Sequence, residues 1–146
     1  MFCGAFLFEP MLTRDFILRQ IQQLVAVLAR VLHLGKAGQH EEVLDEIAFG
    51  FSQDEMASVL RDDITREDLI RLCAGGSGIS VEKTLALADL LRQKGTSQKA
   101  LGIDNARYSL LHALWLYEHL NSLPNATVHW DMMQRIENLR DEIGDL

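Results

Sequence analysis

Residues 15–34 read DFILRQIQQLVAVLARVLHL, and this stretch decides the fold class. Ile17, Ile21, Leu24, Leu28 and Val31 recur at intervals of four and three, which holds them on one side of a helix. Leu18, Val25 and Leu32 form a second seam beside the first. An apolar stripe this wide calls for a central place in a helical bundle or for a partner chain. Arg19, Arg30 and the glutamines interrupt it, so it does not read as a membrane span.

Helix signals dominate on both sides of it. The first helix is expected to open at Thr13 or Asp15 and to end near Gly35, with Gly35 and Gly38 bracketing a turn. A second covers about 40–49, with Val43, Leu44, Ile47 and Ala48 on one face. Ser52 with Glu55 is a capping box that starts a third, and Thr65 with Asp68 opens a fourth through Cys73. AGGSG at 74–78 is a break. Ser80 caps a fifth helix to about Lys94, with Leu85, Ala88 and Leu91 inward and Gly95 as its stop. A sixth spans about 103–121, and Pro124 separates it from a seventh over about 126–143. No stretch alternates with period two, so no sheet is expected. The expected fold is all-α, about seven helices in antiparallel hairpins.

The 146 residues fit one domain, placed at 11–146. The first ten residues, MFCGAFLFEP, are apolar but lack a basic n-region and a small-residue cleavage site. Met11 is the expected true start, with residues 1–10 an upstream extension outside the core.

Net charge is −7, and its distribution matters more than its sum. Between Glu41 and Asp68 stand ten acidic and two basic residues; between Thr13 and Lys36 stand four basic and one acidic. A basic first helix is followed by an acidic segment, whose charges serve as solvated faces or as a docking surface. The overall charge repels phosphate and argues against nucleic acid as a partner.

Cys3 and Cys73 lie far apart, with no CxxC pair, and read as reduced thiols of a cytoplasmic protein. The histidines show no HExxH. His112 and His119 are separated by roughly 10 Å along a helix, too far to share an ion unaided. No metal or cofactor is expected. GGSGISVEKT at 75–84 resembles a phosphate loop only superficially, because Glu82 stands where that loop needs glycine. No GxSxG elbow occurs, and Asp62 and Asp63 have no base or oxyanion donor beside them in sequence. Enzymatic function is not expected.

The sixth helix divides into stripes. Ile103, Leu110, Leu114 and Tyr117 form one; Tyr108, His112, Trp115 and His119 form the opposite one. The second is either packing for a central helix or the lining of a groove for a peptide or small ligand.

Two segments resemble tetratricopeptide-type helical hairpins. One is LARVLHLGKAGQHEEVLDEI at 28–47, with its glycine turn at Gly38; the other runs from ALADLLRQKG at 86–95 to ARYSLLHALWLYEHL at 106–120. Val43 stands in place of the usual alanine, and the repeats are not in tandem. TRDFILRQIQQLVAVLARVL at 13–32 also looks like the opening of a family of short bacterial helical proteins. The resemblance implies a helical-repeat-like fold and supplies no activity. The expected function is protein–protein association as a self-associating scaffold, most simply a homodimer through Leu18, Val25 and Leu32. The alternative is a regulatory module using the Tyr108–His112–Trp115–His119 groove. The competing account of the wide stripe is that the fifth and sixth helices close over it within the same chain.

Removal of residues 1–10 is expected to shift stability by less than roughly 0.5 kcal/mol. Denaturant titration of the shortened chain checks this; loss of cooperative unfolding would show that Phe2, Phe6 and Phe8 belong to the core.

Overall fold

The helix signalled by residues 15–34 is longer than its cap signals indicate: α1 runs Phe2–Lys36. Neither Thr13 nor Asp15 begins it, and Pro10 costs α1 one backbone hydrogen bond without ending it. The computed structural model describes residues 2–51, 55–73, 80–123 and 129–144, of which 2–17, 55–56, 80 and 129–130 are described by backbone alone. The Ser52–Glu55 capping box and the AGGSG break fall largely outside the described residues, as do the side chains of residues 1–10.

Then come α2 (His40–Gly50), a 3-10 helix (Glu55–Leu60), α3 (Arg66–Cys73), α4 (Ser80–Ala100), α5 (Ala106–Ser122) and α6 (His129–Gly144). The described residues thus hold six α-helices and no strand, where seven helices were expected. The missing one is the 3-10 segment, too short to repay the cost of nucleating an α-helix. Thr65 does cap α3, its Oγ1 accepting from the Asp68 N–H at 3.2 Å. The Asp68 carboxylate accepts from Arg71 at 2.7 Å.

Two glycine stops share one geometry. Gly38 has φ of 77°, its N–H donates to the Gly35 carbonyl at 3.1 Å, and the Gln39 N–H donates to the Leu34 carbonyl at 2.9 Å. Gly102 has φ of 72°, with matching bonds from its N–H to Lys99 at 3.1 Å and from Ile103 to Gln98 at 2.9 Å. Both are Schellman caps, in which glycine takes the left-handed conformation that side chains resist. Gly95 is therefore not the end of α4. It sits in the helix interior, where a Cβ would lie 2.6 Å from Leu110 Cγ and 3.1 Å from the Leu110 backbone nitrogen. Its function is to let α5 approach.

Side-chain pairs give the topology. Arg30 Nε donates to Glu46 Oε2 at 3.1 Å, closing α1–α2 as an antiparallel hairpin. Ser109 Oγ donates to Gln98 Oε1 at 2.7 Å at one end of α4–α5, and Tyr117 Oη donates to Asp89 Oδ1 nearer the other, so this pair is also antiparallel. Arg140 Nη2 donates to Glu118 Oε2 at 3.0 Å, turning α6 back along α5. Asp89 with Arg135 and Arg92 with Glu142 run α6 parallel to α4. The α1–α2 hairpin lies on α4, and α3 packs on α5 and α4. One apolar core threads these helices, from Leu24, Val27 and Val31 through Leu87, Leu90 and Leu91 to Leu116, Leu120 and Leu139. No described helix is long and apolar enough to cross a membrane.

Gly95→Ala should lower stability by about 1 kcal/mol net, since overpacking against Leu110 outweighs the gain in helix propensity. Gly144→Ala, whose Cβ would meet nothing within 4 Å, should cost nothing. Paired thermal melts compare the two.

Candidate functional site

Burial sorts the two seams of α1. Ile21, Leu24 and Val31 are buried and Leu28 is half-buried, covered by α2 and α4. Leu18, Val25 and Leu32 stay 39%, 50% and 37% exposed. At 100° per residue these three fall within about 40° of one another, at the edge of the core-facing side. Gln22 and Ala29 are exposed within the same sector. The result is an aliphatic ridge with small or polar neighbours and a spacing of seven, the repeat with which one helix seats against another.

The ridge ends at a polar groove of about 360 Å³, lined by Leu32 of α1, Asp89, Arg92 and Gln93 of α4, Tyr117 of α5 and Arg135 of α6. Its charges are internally satisfied. Asp89 Oδ1 accepts from Tyr117 Oη and from Arg135 Nη1, the latter at 3.1 Å. Arg135 Nε donates to Asp131 Oδ2 at 2.9 Å, and Arg92 Nη2 donates to Glu142 Oε1 at 3.2 Å. Burial first, and then the Asp89 carboxylate, raise the Tyr117 phenol far above its ordinary range. It remains a neutral donor at every physiological pH. The groove offers a polar surface whose charges are paired with one another.

The stripe on the sixth predicted helix, now α5, is split by packing. His112 is 3% exposed, so it presents nothing to a ligand at the surface. Its ring centroid lies 5.1 Å from that of Trp115. Trp115 and His119 are half-buried and Tyr108 is exposed. On the other stripe Leu110, Leu114 and Tyr117 are buried, while Ile103 precedes the helix and is exposed. Beside His112 lies a feature the sequence did not reveal. Lys94 Nζ donates to the Leu60 carbonyl at 3.2 Å, holding the 3-10 segment onto α4. Burial lowers the Lys94 pKa, partly offset by Asp62. Burial likewise lowers that of His112, against Asp62 and reinforced by Lys94. Cys73 is a buried free thiol pushed up to about 12 by burial, and so is unreactive.

Among the described residues no group of three or more His, Cys, Asp or Glu is placed to hold a metal ion. Another groove, of about 540 Å³, opens between α1 and α2, with Arg30 in its lining. Its wall includes Phe49, which is absent from the expected sites; its place seven residues after Glu42, on one helix face, was the available signal. Comparison of the chain with protein-family models, with curated proteins and with solved structures returns no match.

His112 makes stability depend on pH with a defined sign. Its folded pKa lies below the unfolded 6.5, so the unfolded chain binds more protons between the two values. Stability should fall as pH drops through 6.5 towards the folded pKa. Denaturation profiles of His112→Gln and wild type should converge on acidification, because the variant lacks this titration. Parallel profiles would show that the imidazole charges freely inside the fold.

Proposed function

We propose that this protein is a non-enzymatic, self-associating helical scaffold of the cytoplasm, pairing two copies through the outer face of α1. The observation that carries the reading is the ridge of Leu18, Val25 and Leu32, which α2 and α4 leave exposed. Three aliphatic side chains lie on one line, with Gln22 and Ala29 between them, a run of exposed apolar side chains suited to a partner. A two-fold pairing buries the same patch on both copies. Lengths support this. At 35 residues α1 is about 50 Å long, against about 30 Å for the 21 residues of α4 and about 16 Å for the 11 of α2.

The test is Leu18→Glu combined with Val25→Glu. Light scattering should give a dimer mass for the unmodified chain at micromolar concentration, and a monomer of unchanged helicity for the variant. Charges at exposed positions stay solvated, whereas a charge forced into the core, as in Leu24→Glu, should cost several kcal/mol and unfold the chain. A monomer mass for the unmodified protein at high micromolar concentration refutes the proposal. So does unfolding of the double variant, which would place the ridge in the core of a single chain.

A further inference from the structure

The α1–α2 groove differs from the ridge in chemistry. Its wall on α2 is built from Glu42, Asp45, Glu46 and Phe49. These sit at i, i+3, i+4 and i+7, so one face of α2 presents a carboxylate ladder that ends in an aromatic ring. Leu34 of α1 contributes apolar surface to the same groove. Phe49 is 82% exposed, the most exposed of the large apolar residues described. A solvated acidic face does not need a phenyl ring in water, and a buried helix face does not carry three acids. Among the described residues only Glu46 has a cation, Arg30 at 3.1 Å, and that pair is itself largely solvent-facing. Among the described residues no cation pairs with Glu42 or Asp45. The lining therefore holds three carboxylates against one guanidinium and the His33 imidazole.

We infer that this groove docks a basic amphipathic helix of a partner protein. Lysine or arginine side chains one turn apart on the incoming helix match the spacing of Glu42 with Asp45 and Glu46. An apolar residue or a cation on its next turn meets the Phe49 ring, through hydrophobic contact or a cation–π contact. This is the helix-in-groove mode, with charge setting orientation and the aromatic ring as anchor. The groove, at about 540 Å³, is partly open to solvent, which suits a segment of chain better than an enclosed small molecule. The site is separate from the Leu18–Val25–Leu32 ridge, so either can fail without the other.

The experiment uses the full chain and a labelled model peptide of about four helical turns. The peptide carries lysine at i and i+4 along one stripe, with leucine beside it. Fluorescence anisotropy should show saturable binding that weakens as salt rises. Glu42→Gln with Asp45→Asn, and separately Phe49→Ala, should each weaken it by about tenfold or more. Both changes lie on exposed positions, and circular dichroism verifies that the fold is kept. A peptide with glutamate in place of lysine should not bind, and spermidine should compete only weakly. The inference is overturned by absence of saturable binding, by equal binding of the acidic peptide, or by full competition from spermidine. It is also overturned if Phe49→Ala binds as wild type, which would reduce the interaction to unspecific charge attraction.

Discussion

The fold depends on the close approach of α4 and α5 at Gly95. With no Cβ there, Leu110 and its backbone come within the distance a methyl group would occupy. Polar pairs on either side set the register. Ser109 with Gln98 lies towards one end, and Tyr117 with Asp89 lies towards the other. All are buried or partly buried, so a slip of one turn would leave donors and acceptors without partners at a cost of about 1–3 kcal/mol each. The remaining helices are hung on this pair. Asp89 also takes Arg135 and so orients α6. Ser97, fully buried on α4, accepts from Gln93 at 3.1 Å and lies 2.9 Å from His40 Nδ1, which seats the α1–α2 turn.

The buried titratable groups belong to the same architecture. Lys94 is one residue before Gly95, and its ammonium is spent on the Leu60 carbonyl. The 3-10 segment is thereby held by a charge-assisted bond as well as by the burial of Val59. His112 is buried on α5, its ring tilted 34° against that of Trp115. An aromatic and histidine stripe of this kind mimics a binding groove in sequence. Here its central member is packing, and the partly solvated members lie at the margin.

The surface of the α1–α2 hairpin carries two unlike features on two sides of one helix. One side is an uncharged aliphatic ridge and the other is a carboxylate-rimmed groove with an exposed phenyl ring. The basic character of α1 and the acidic character of α2 meet in only one ion pair among the described residues, Arg30 with Glu46. At its exposure that pair contributes no more than about 1 kcal/mol. Apolar burial of Val27, Val31, Val43 and Ile47 holds the hairpin together, and most of its charge is left for the surface.

The all-helical class, the positions of α2, α3 and α5 to within a few residues, and the division of α1 into two seams were legible from periodicity and from Thr65, Gly38 and Pro124. These are local properties, set by which side chains share a face and which residues tolerate a turn. Gly95 misleads as a stop signal for a physical reason. Gly95 and Gly102 look alike in sequence, but only the chain at 102 is free to take φ of 72°, while 95 is pinned against Leu110. The sequence reading sets Leu18, Val25 and Leu32 outward, but both seams are apolar, and only the positions of α2 and α4 fix which one stays exposed. The depth of His112, the lysine beside it and the exposure of Phe49 were decided by tertiary packing. Burial is a property of what the neighbouring helices cover, and no residue carries that information by itself.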